Sequence, residues 1–189
     1  MVERNQITGL ILAGGEGSRL GGVDKGLQVF AGQTLAQLAL LRLTPQVSRV
    51  MISANRNLEA YRQMGVPVWP DPPQLQGYQG PLAGVLAGLQ HCDTPYLVIV
   101  PCDCPHLASD LVQRLSASIG DAELVIARTS EGLEPAFCLM RRGVQDSLAH
   151  YLQGGQRKIE RWTAQLRRVE VSFDDPAAFF NINTPQDLA

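Results

Sequence analysis

Two hydrophobic patterns alternate along the chain, and they predict most of its secondary structure. Short continuous apolar runs, such as YLVIV at residues 96–100, are typical of strands that are buried on both faces of a parallel sheet. Stretches with apolar residues three and four positions apart, such as TLAQLALLRL at residues 34–43, predict helices. Strands are predicted at residues 7–13, 49–54, 66–69, 96–100, 123–127 and 168–173, with a further apolar run at 135–140. Helices are predicted at residues 34–43, 57–64, 82–91, 109–118, 141–152 and 158–166.

The order of these elements predicts the fold class. Strands and helices that alternate in this way form a three-layer α/β/α domain, with helices on both faces of a mostly parallel sheet. The chain has 189 residues, of which 45% are hydrophobic, and this is enough for one domain with a sizeable core. No repeat, low-complexity tract or linker divides the sequence, so we expect residues 1–189 to form a single domain.

The charge and the cysteines narrow the class of protein further. A net charge of -2 and a pI near 5.9 provide no basic face, so neither nucleic acid nor an anionic membrane is an expected partner. The apolar runs are far shorter than the roughly 20 residues that cross a bilayer, and the start of the chain lacks a signal-peptide pattern, so we expect a cytoplasmic protein. Four cysteines without regular spacing predict reduced thiols rather than a disulfide framework.

The sequence LILAGGEGSRLGGVDKGL at residues 10–27 predicts a phosphate-binding loop after the first strand. Glycines at the carboxyl end of a strand let backbone N–H groups approach an anion closely, and Arg19 and Lys25 add positive charge. The loop is not a P-loop, because Lys25 is followed by Gly26, and it lacks the third glycine of a dinucleotide fingerprint, because Leu20 stands in its place. A flexible glycine loop with surface charges remains the alternative.

Asp103 is a candidate for a metal-binding carboxylate. It follows the apolar run at residues 96–100, where a side chain can meet a ligand at the edge of the sheet, although a turn or helix N-cap is the alternative. Mg²⁺ binds few carboxylates together with phosphate oxygens and water, so one aspartate can suffice. Cys102, Cys104 and His106 form a C-x-C-x-H run, but structural zinc normally needs four ligands, and the sequence shows no second cluster.

Taken in order, the motifs of the chain resemble those of the molybdenum cofactor guanylyltransferases, which attach GMP to molybdopterin. The motifs are LAGGEGSRLGGVDKGL, SANR at residues 53–56, Asp71, GPLAG at 80–84, PCDCP at 101–105 and NINTPQDL at 181–188. This ordered set is far more specific than any single motif. The resemblance implies a Rossmann-like nucleotidyltransferase fold and the transfer of GMP from GTP to the phosphate of molybdopterin, with release of pyrophosphate.

The resemblance also implies roles for individual residues. Those expected to be catalytic are Arg19, Lys25 and Asp103, of which Asp103 is also expected to bind Mg²⁺. Those expected to bind the nucleotide are Leu12, Ala13, Gly14, Lys25, Ser53, Asp71 and Asp103. Those expected to contact the pterin substrate are Arg157, Asn181 and Asn183.

The sequence departs from the family pattern at a few positions. Ser53 stands where the corresponding motif commonly begins with asparagine, and Leu20 replaces the usual methionine with little change in volume. Glu134 and Pro135 stand where a His-Pro pair is often seen, and no role is predicted for Glu134.

Other functions stay open at this stage. A relative that uses CTP, or one that acts on a sugar phosphate, would share the fold, although the sequence GGVDKG resembles the guanine-using branch. A GTP-binding accessory protein would keep the glycine loop but would not need the carboxylate of Asp103. The expected partners are GTP and molybdopterin, together with proteins that supply the cofactor or accept the product.

Overall fold

A seven-stranded sheet forms the centre of the computed structural model, which describes residues 2–15, 23–75 and 80–188. The strands of these described residues are β1 (Ile7–Leu12), β2 (Val29–Phe30), β3 (Gln33–Thr34), β4 (Arg49–Ser53), β5 (Val68–Trp69), β6 (Tyr96–Pro101), β7 (Leu124–Thr129), β8 (Gly132–Arg141) and β9 (Arg168–Ser172). The order across the sheet is β5-β4-β1-β6-β8-β7-β9, while β2 and β3 pair separately. The first strand therefore lies inside the sheet, between β4 and β6.

The seven-stranded sheet is mostly parallel, as predicted, and within it β8 runs antiparallel to its neighbours β6 and β7. The pairing of β8 with β7 is irregular: Ile126 pairs with Cys138, but the next residue, Ala127, pairs with Glu134. The residues between Glu134 and Cys138 therefore form a bulge in β8. Bulges redirect side chains next to functional sites, and this one lies beside the site described below.

Helices cover both faces of the sheet, which confirms the predicted three layers. They are α1 (Leu35–Leu43), α2 (Leu58–Arg62), α3 (Pro81–His91), α4 (Leu111–Ser118), α5 (Gln145–Gln153) and α6 (Ile159–Thr163). Because side chains alternate along a strand, Val98 of β6 packs with α1 and α4 in one core, and Leu97 packs with α3, α5 and α6 in the other.

The helix α3 packs unusually close to the sheet. A Cβ atom on Gly84 would lie 2.4 Å from the Ser53 Oγ atom, and one on Gly88 would lie 2.5 Å from a methyl carbon of Leu10. Because neither glycine has a side chain, α3 can pack closely against the sheet. The first turn of α3 is thereby placed beside the carboxyl ends of β1 and β4.

Two parts of the secondary structure differ from the prediction. The helix predicted at residues 141–152 begins too early, because Arg141 ends β8, a 3-10 turn covers Arg142–Val144, and α5 begins at Gln145. The backbone N–H of Arg141 donates to the Glu123 carbonyl, so this residue continues the sheet. The β2–β3 hairpin was not predicted; its turn places Ala31 at φ 49° and Gly32 at φ 83°.

The structure bears on two further predictions, which concern membrane-spanning segments and the state of the cysteines. Across the described ranges, no helix combines the length and the apolar character needed to cross a membrane. All four cysteines are buried and free, which confirms the prediction of reduced thiols.

Candidate active site

The carboxyl ends of β1, β4 and β6 open into a cleft of about 400 Å³, which we call the central cleft. The first turn of α3 forms one wall, and the bulge of β8 contributes Ala136. Ligands in open α/β sheets bind at this end of the strands, where the strand order reverses. The predicted site residues that line the central cleft are Leu12, Ala13, Gly14, Lys25, Ser53, Asp71, Asp103 and Asn183.

The centre of the cleft is a hydrogen-bonded group of Lys25, Asp103 and Asn183. The ammonium Nζ of Lys25 lies 2.8 Å from Asp103 Oδ2 and 2.8 Å from Asn183 Oδ1. Both charged side chains are largely buried, with exposed fractions of 21% for Lys25 and 13% for Asp103. Burial lowers the effective dielectric constant, so these charges act more strongly on a bound ligand than surface charges would.

Asn183 is held by the closing segment of the chain. The backbone N–H groups of Asn183 and Thr184 both donate to Asp187 Oδ2 at 2.8 Å. The neighbouring Ile182 donates its N–H to the Asp103 carbonyl. These bonds fix the Asn183 amide against Lys25. They also lower the pKa of Asp187 below its usual 3.8, because the backbone N–H groups favour the charged carboxylate.

The lowered pKa of Asp187 predicts a pH-dependent stabilisation of this segment. Because the folded-state pKa lies below the unfolded one, the stabilisation is complete above about pH 4 and is lost as pH falls through the folded pKa. We expect Asp187→Asn to be less stable than the unsubstituted protein in urea at pH 7, with the difference shrinking at pH 3. An equal difference at both pH values would contradict this role of the charge.

A second hydrogen-bond network surrounds Asp24. Asp24 is buried, and its carboxylate accepts hydrogen bonds from Asn57 and from the Tyr61 hydroxyl, whose pKa is raised by burial. Arg56 Nη2 donates to the carbonyls of Gly15 and Val23, at 3.1 and 3.0 Å, and Arg56 Nε lies 3.8 Å from Asp24.

Arg56 therefore joins the two described residues that flank positions 16–22. Arg56 belongs to the SANR motif, but no role was predicted for it from the sequence. Arg19, predicted to be catalytic, lies at a position outside the described residues, so its role stays a prediction.

Asn55 is a cleft residue that the sequence analysis did not single out. Its side chain pairs reciprocally with Asp71: Asn55 Nδ2 donates to Asp71 Oδ2, and the Asp71 backbone N–H donates to Asn55 Oδ1, both at 2.9 Å. Burial raises the pKa of Asp71, and the Asn55 hydrogen bond opposes this shift. Asn55 thus fixes the orientation of Asp71 at the cleft. The SANR motif, which contains Asn55, was the sequence feature that could have identified this residue.

The three residues predicted to contact the pterin lie in different places. Asn183 lines the central cleft, whereas Asn181 lines a neighbouring cavity. Arg157 turns toward the end of α5, where its Nη1 atom donates to the carbonyls of Leu152 and Gln156 at 2.8 and 2.7 Å. The structure therefore brings Asn183 to Lys25 but does not place the Arg157 guanidinium in the cleft.

Comparison with known proteins identifies the family. Residues 9–169 match the family model described as the MobA-like NTP transferase domain, which is most of the chain. The chain belongs to the MobA-like NTP transferase family. A relative from Bordetella petrii, named molybdenum cofactor guanylyltransferase, is 54% identical to it, and the alignment covers 100% of this chain and 98% of the relative. A protein of the same name from Ralstonia nicotianae is 52% identical, with coverage of 100% and 97%.

Solved structures confirm the fold of this MobA-like chain. The crystal structure of molybdopterin-guanine dinucleotide biosynthesis protein A from Archaeoglobus fulgidus matches with a TM-score of 0.77 at 24% identity, covering 96% of this chain and 94% of that one. A 4-diphosphocytidyl-2C-methyl-D-erythritol synthase from Anaerococcus prevotii matches with a TM-score of 0.76 at 11% identity, covering 98% and 96%. Proteins with differently named products thus share the fold, so the fold alone does not select the nucleotide.

Proposed function

We propose that this chain transfers GMP from GTP to the phosphate of molybdopterin and releases pyrophosphate. Relatives more than half identical over the whole chain carry the name molybdenum cofactor guanylyltransferase, and the alternatives weighed from sequence are not favoured. The main structural support for this proposal is the hydrogen bonding of Lys25 to Asp103 and Asn183 where β1 and β6 end. A catalytic lysine and carboxylate at this place suit chemistry on a polyphosphate.

In the proposed reaction, an oxygen of the molybdopterin phosphate attacks the α-phosphorus of GTP. A new phosphorus–oxygen bond forms, the bond from the α-phosphorus to the oxygen that bridges to the β-phosphate breaks, and pyrophosphate leaves with that oxygen. Both reactants are anions, so charge repulsion is the main obstacle. Positioning and electrostatic stabilisation must therefore supply most of the rate acceleration.

Lys25 supplies fixed positive charge for this reaction. An ammonium group has three N–H donors, and the bonds to Asp103 and Asn183 use two of them. The third can be donated to a phosphate oxygen. Because Asp103 and Asn183 already hold the ammonium, little side-chain entropy is lost when the substrate binds.

The backbone after β1 also forms part of the proposed nucleotide site. Gly14 lines the central cleft, and a Cβ atom added to it would lie only 3.1 Å from Asn55 Nδ2. The glycine therefore leaves room for the amide that orients Asp71. We assign Leu12, Ala13, Gly14, Ser53 and Asp71 to the nucleotide on the basis of this shared cleft.

We assign Mg²⁺ binding to Asp103, and the residues present suit this ion. Lys25 engages Asp103 Oδ2, so Oδ1 is the oxygen suited to a metal. Among the described residues, no group of three or more His, Cys, Asp or Glu side chains could hold a metal ion. Mg²⁺ is commonly bound by one or two carboxylates together with phosphate oxygens and water. Transition metals instead favour sites with imidazole or thiolate ligands. When bound, Mg²⁺ would offset negative charge on the transferring phosphates.

We further propose that the chain works in the cytoplasm, where GTP is made, and that it contacts the proteins that supply molybdopterin and receive the product. A labile cofactor is best protected by direct transfer between proteins. Crosslinking followed by purification tests this contact, and recovery of the chain without any such partner would contradict it.

Pyrophosphate release with Mg²⁺ and molybdopterin, compared for GTP, CTP and ATP, tests the proposed function. We expect turnover with GTP and far less with the other two. A preference for CTP would move the chain to the cytidylyl branch. Tight GTP binding without turnover would favour an accessory protein instead.

A further inference from the structure

A second cavity, the one lined by Asn181, adjoins the central cleft. It has a volume of about 400 Å³, and we call it the side cavity. Asn183 lines both spaces, so the side cavity begins where Lys25 and Asp103 meet. A molecule in the side cavity would therefore have one end close to the group proposed to carry out phosphate transfer. Its other lining residues include Glu134, Phe180 and Asn181.

Glu134 reaches the side cavity because of the bulge in β8. The register of β8 jumps at Glu134, which is partly buried. Thr129 Oγ1 donates to Glu134 Oε1 at 3.1 Å, which fixes the direction of the carboxylate. Burial, followed by the nearby charge of Glu131, raises the pKa of Glu134, while the Thr129 hydrogen bond opposes the shift. A carboxylate in such surroundings gains more from a hydrogen-bond donor than one in water does.

Asn181 also lines the side cavity. Its Oδ1 atom is buried and has no hydrogen-bond partner among the residues that the structure describes. A buried acceptor without a donor is costly. Glu134 offers the side cavity a carboxylate, which accepts hydrogen bonds and donates none when ionised.

The wall of the side cavity also suits a flat ligand. Phe180 lines it and is 49% exposed, which is unusual for a large aromatic side chain. The adjacent Phe179 is buried against the rings of Phe137 and Phe173, with centroid distances of 4.9 and 5.0 Å, so the backbone beside Phe180 is firmly anchored. An exposed aromatic ring on a rigid segment can stack on a planar heterocycle.

The geometry points to Glu134 as the residue that recognises the 2-amino-4-oxopyrimidine edge of the pterin in the acceptor substrate. This edge carries a ring N–H and an adjacent amino group, two parallel donors that a single carboxylate accepts together. The inference rests on the proposed function, since it concerns the acceptor of that same reaction. Glu134 acts in specificity: it selects the pterin and takes no part in the transfer of the phosphoryl group.

The test is Glu134→Gln, which keeps the size of the side chain and an oxygen for Thr129 but replaces one acceptor by a donor. We expect the KM for molybdopterin to rise about tenfold or more, with the KM for GTP unchanged, because an unmatched donor faces the donors of the pterin. We also expect weaker binding of a simple pterin, 6-hydroxymethylpterin, measured by quenching of its fluorescence without GTP. Glu160→Gln makes the same change of charge on an exposed helix position and should alter neither value.

A purely structural role of Glu134 predicts a different pattern. Thr129→Val removes the hydrogen bond to Glu134 but keeps the carboxylate, so we expect a smaller rise in the KM for molybdopterin than in Glu134→Gln. Equal effects of the two substitutions, or an unchanged KM in Glu134→Gln while the unsubstituted protein turns over, would overturn the inference and leave the proposed function intact. If the unsubstituted protein shows no turnover, the proposed function fails; pterin binding that is equal in both proteins would then overturn the inference as well.

Discussion

Asp103→Asn is expected to lower kcat by about 10³-fold or more, because it removes the negative charge that positions the Lys25 ammonium, a cation proposed to offset phosphate charge. Asparagine keeps the shape of the side chain and one oxygen, and Asn183 still holds Lys25, so the fold should survive. The substitution also takes away the proposed ligand of Mg²⁺. We therefore expect a higher Mg²⁺ concentration for half-maximal activity in the variant.

Asp121→Asn is the matched control for this substitution, since it makes the same change of charge at an exposed turn. Steady-state pyrophosphate release and a Mg²⁺ titration provide both values, and circular dichroism checks the fold. Asp103→Asn with more than about a tenth of the normal kcat and an unchanged Mg²⁺ requirement would remove Asp103 from the catalytic group.

Lys25→Ala is expected to lower kcat/KM for GTP by about 10²- to 10³-fold, the range seen when one fixed donor to a developing negative charge is lost. The ammonium is the donor that Asp103 and Asn183 orient, so its loss removes the cation and leaves Asp103 unpaired. We expect Lys25→Arg to recover only part of the activity, because a planar guanidinium cannot reproduce the two bonds of a compact ammonium.

The second lysine of the chain, Lys158, provides the control. Its side chain is exposed at the start of α6 and is not among the described residues that line the central cleft, so Lys158→Ala should retain normal kinetics. Initial rates over a range of GTP concentrations, at saturating molybdopterin, compare the two variants. Similar kinetics for Lys25→Ala and Lys158→Ala would show that the charge of Lys25 has no part in the reaction.

Much of the fold could be predicted because local signals agreed with the packing. Thr34 and Gln37 form a reciprocal capping box at the start of α1, and Pro81 stands in the first turn of α3. The apolar run of β6 is buried on both faces, as its composition indicates. These elements are determined by short stretches of sequence, so the hydrophobic pattern was enough.

The parts of the fold that were missed depend on backbone geometry or on distant partners. The β2–β3 turn holds Ala31 at a positive φ, where asparagine or glycine is the usual signal, so its sequence did not indicate a hairpin. The start of β8 at Gly132 lacks a hydrophobic run, and its pairing is set by β6 and β7 rather than by its own residues. An apolar run also carries no information about strand direction.

The residues of the candidate site were also only partly predictable from the sequence. Lys25 and Asp103 could be singled out from the chemistry of their types at strand ends, and the resemblance added Asn183. The hydrogen bond between Lys25 and Asn183 joins residues 158 positions apart, and it exists only because the closing segment returns to β6. Arg56 and Asn55 act through contacts with Asp24 and Asp71, and such contacts arise from tertiary packing that no local pattern records.

The fate of the α-phosphate of GTP tests guanylyl transfer directly. The unsubstituted protein would be incubated with Mg²⁺, molybdopterin and GTP labelled at the α-phosphate, and the products would be separated by chromatography. We expect the label to enter a molybdopterin guanine dinucleotide, with one pyrophosphate released for each dinucleotide formed. Label recovered only as GTP, or as free GMP or GDP, would contradict guanylyl transfer by this chain.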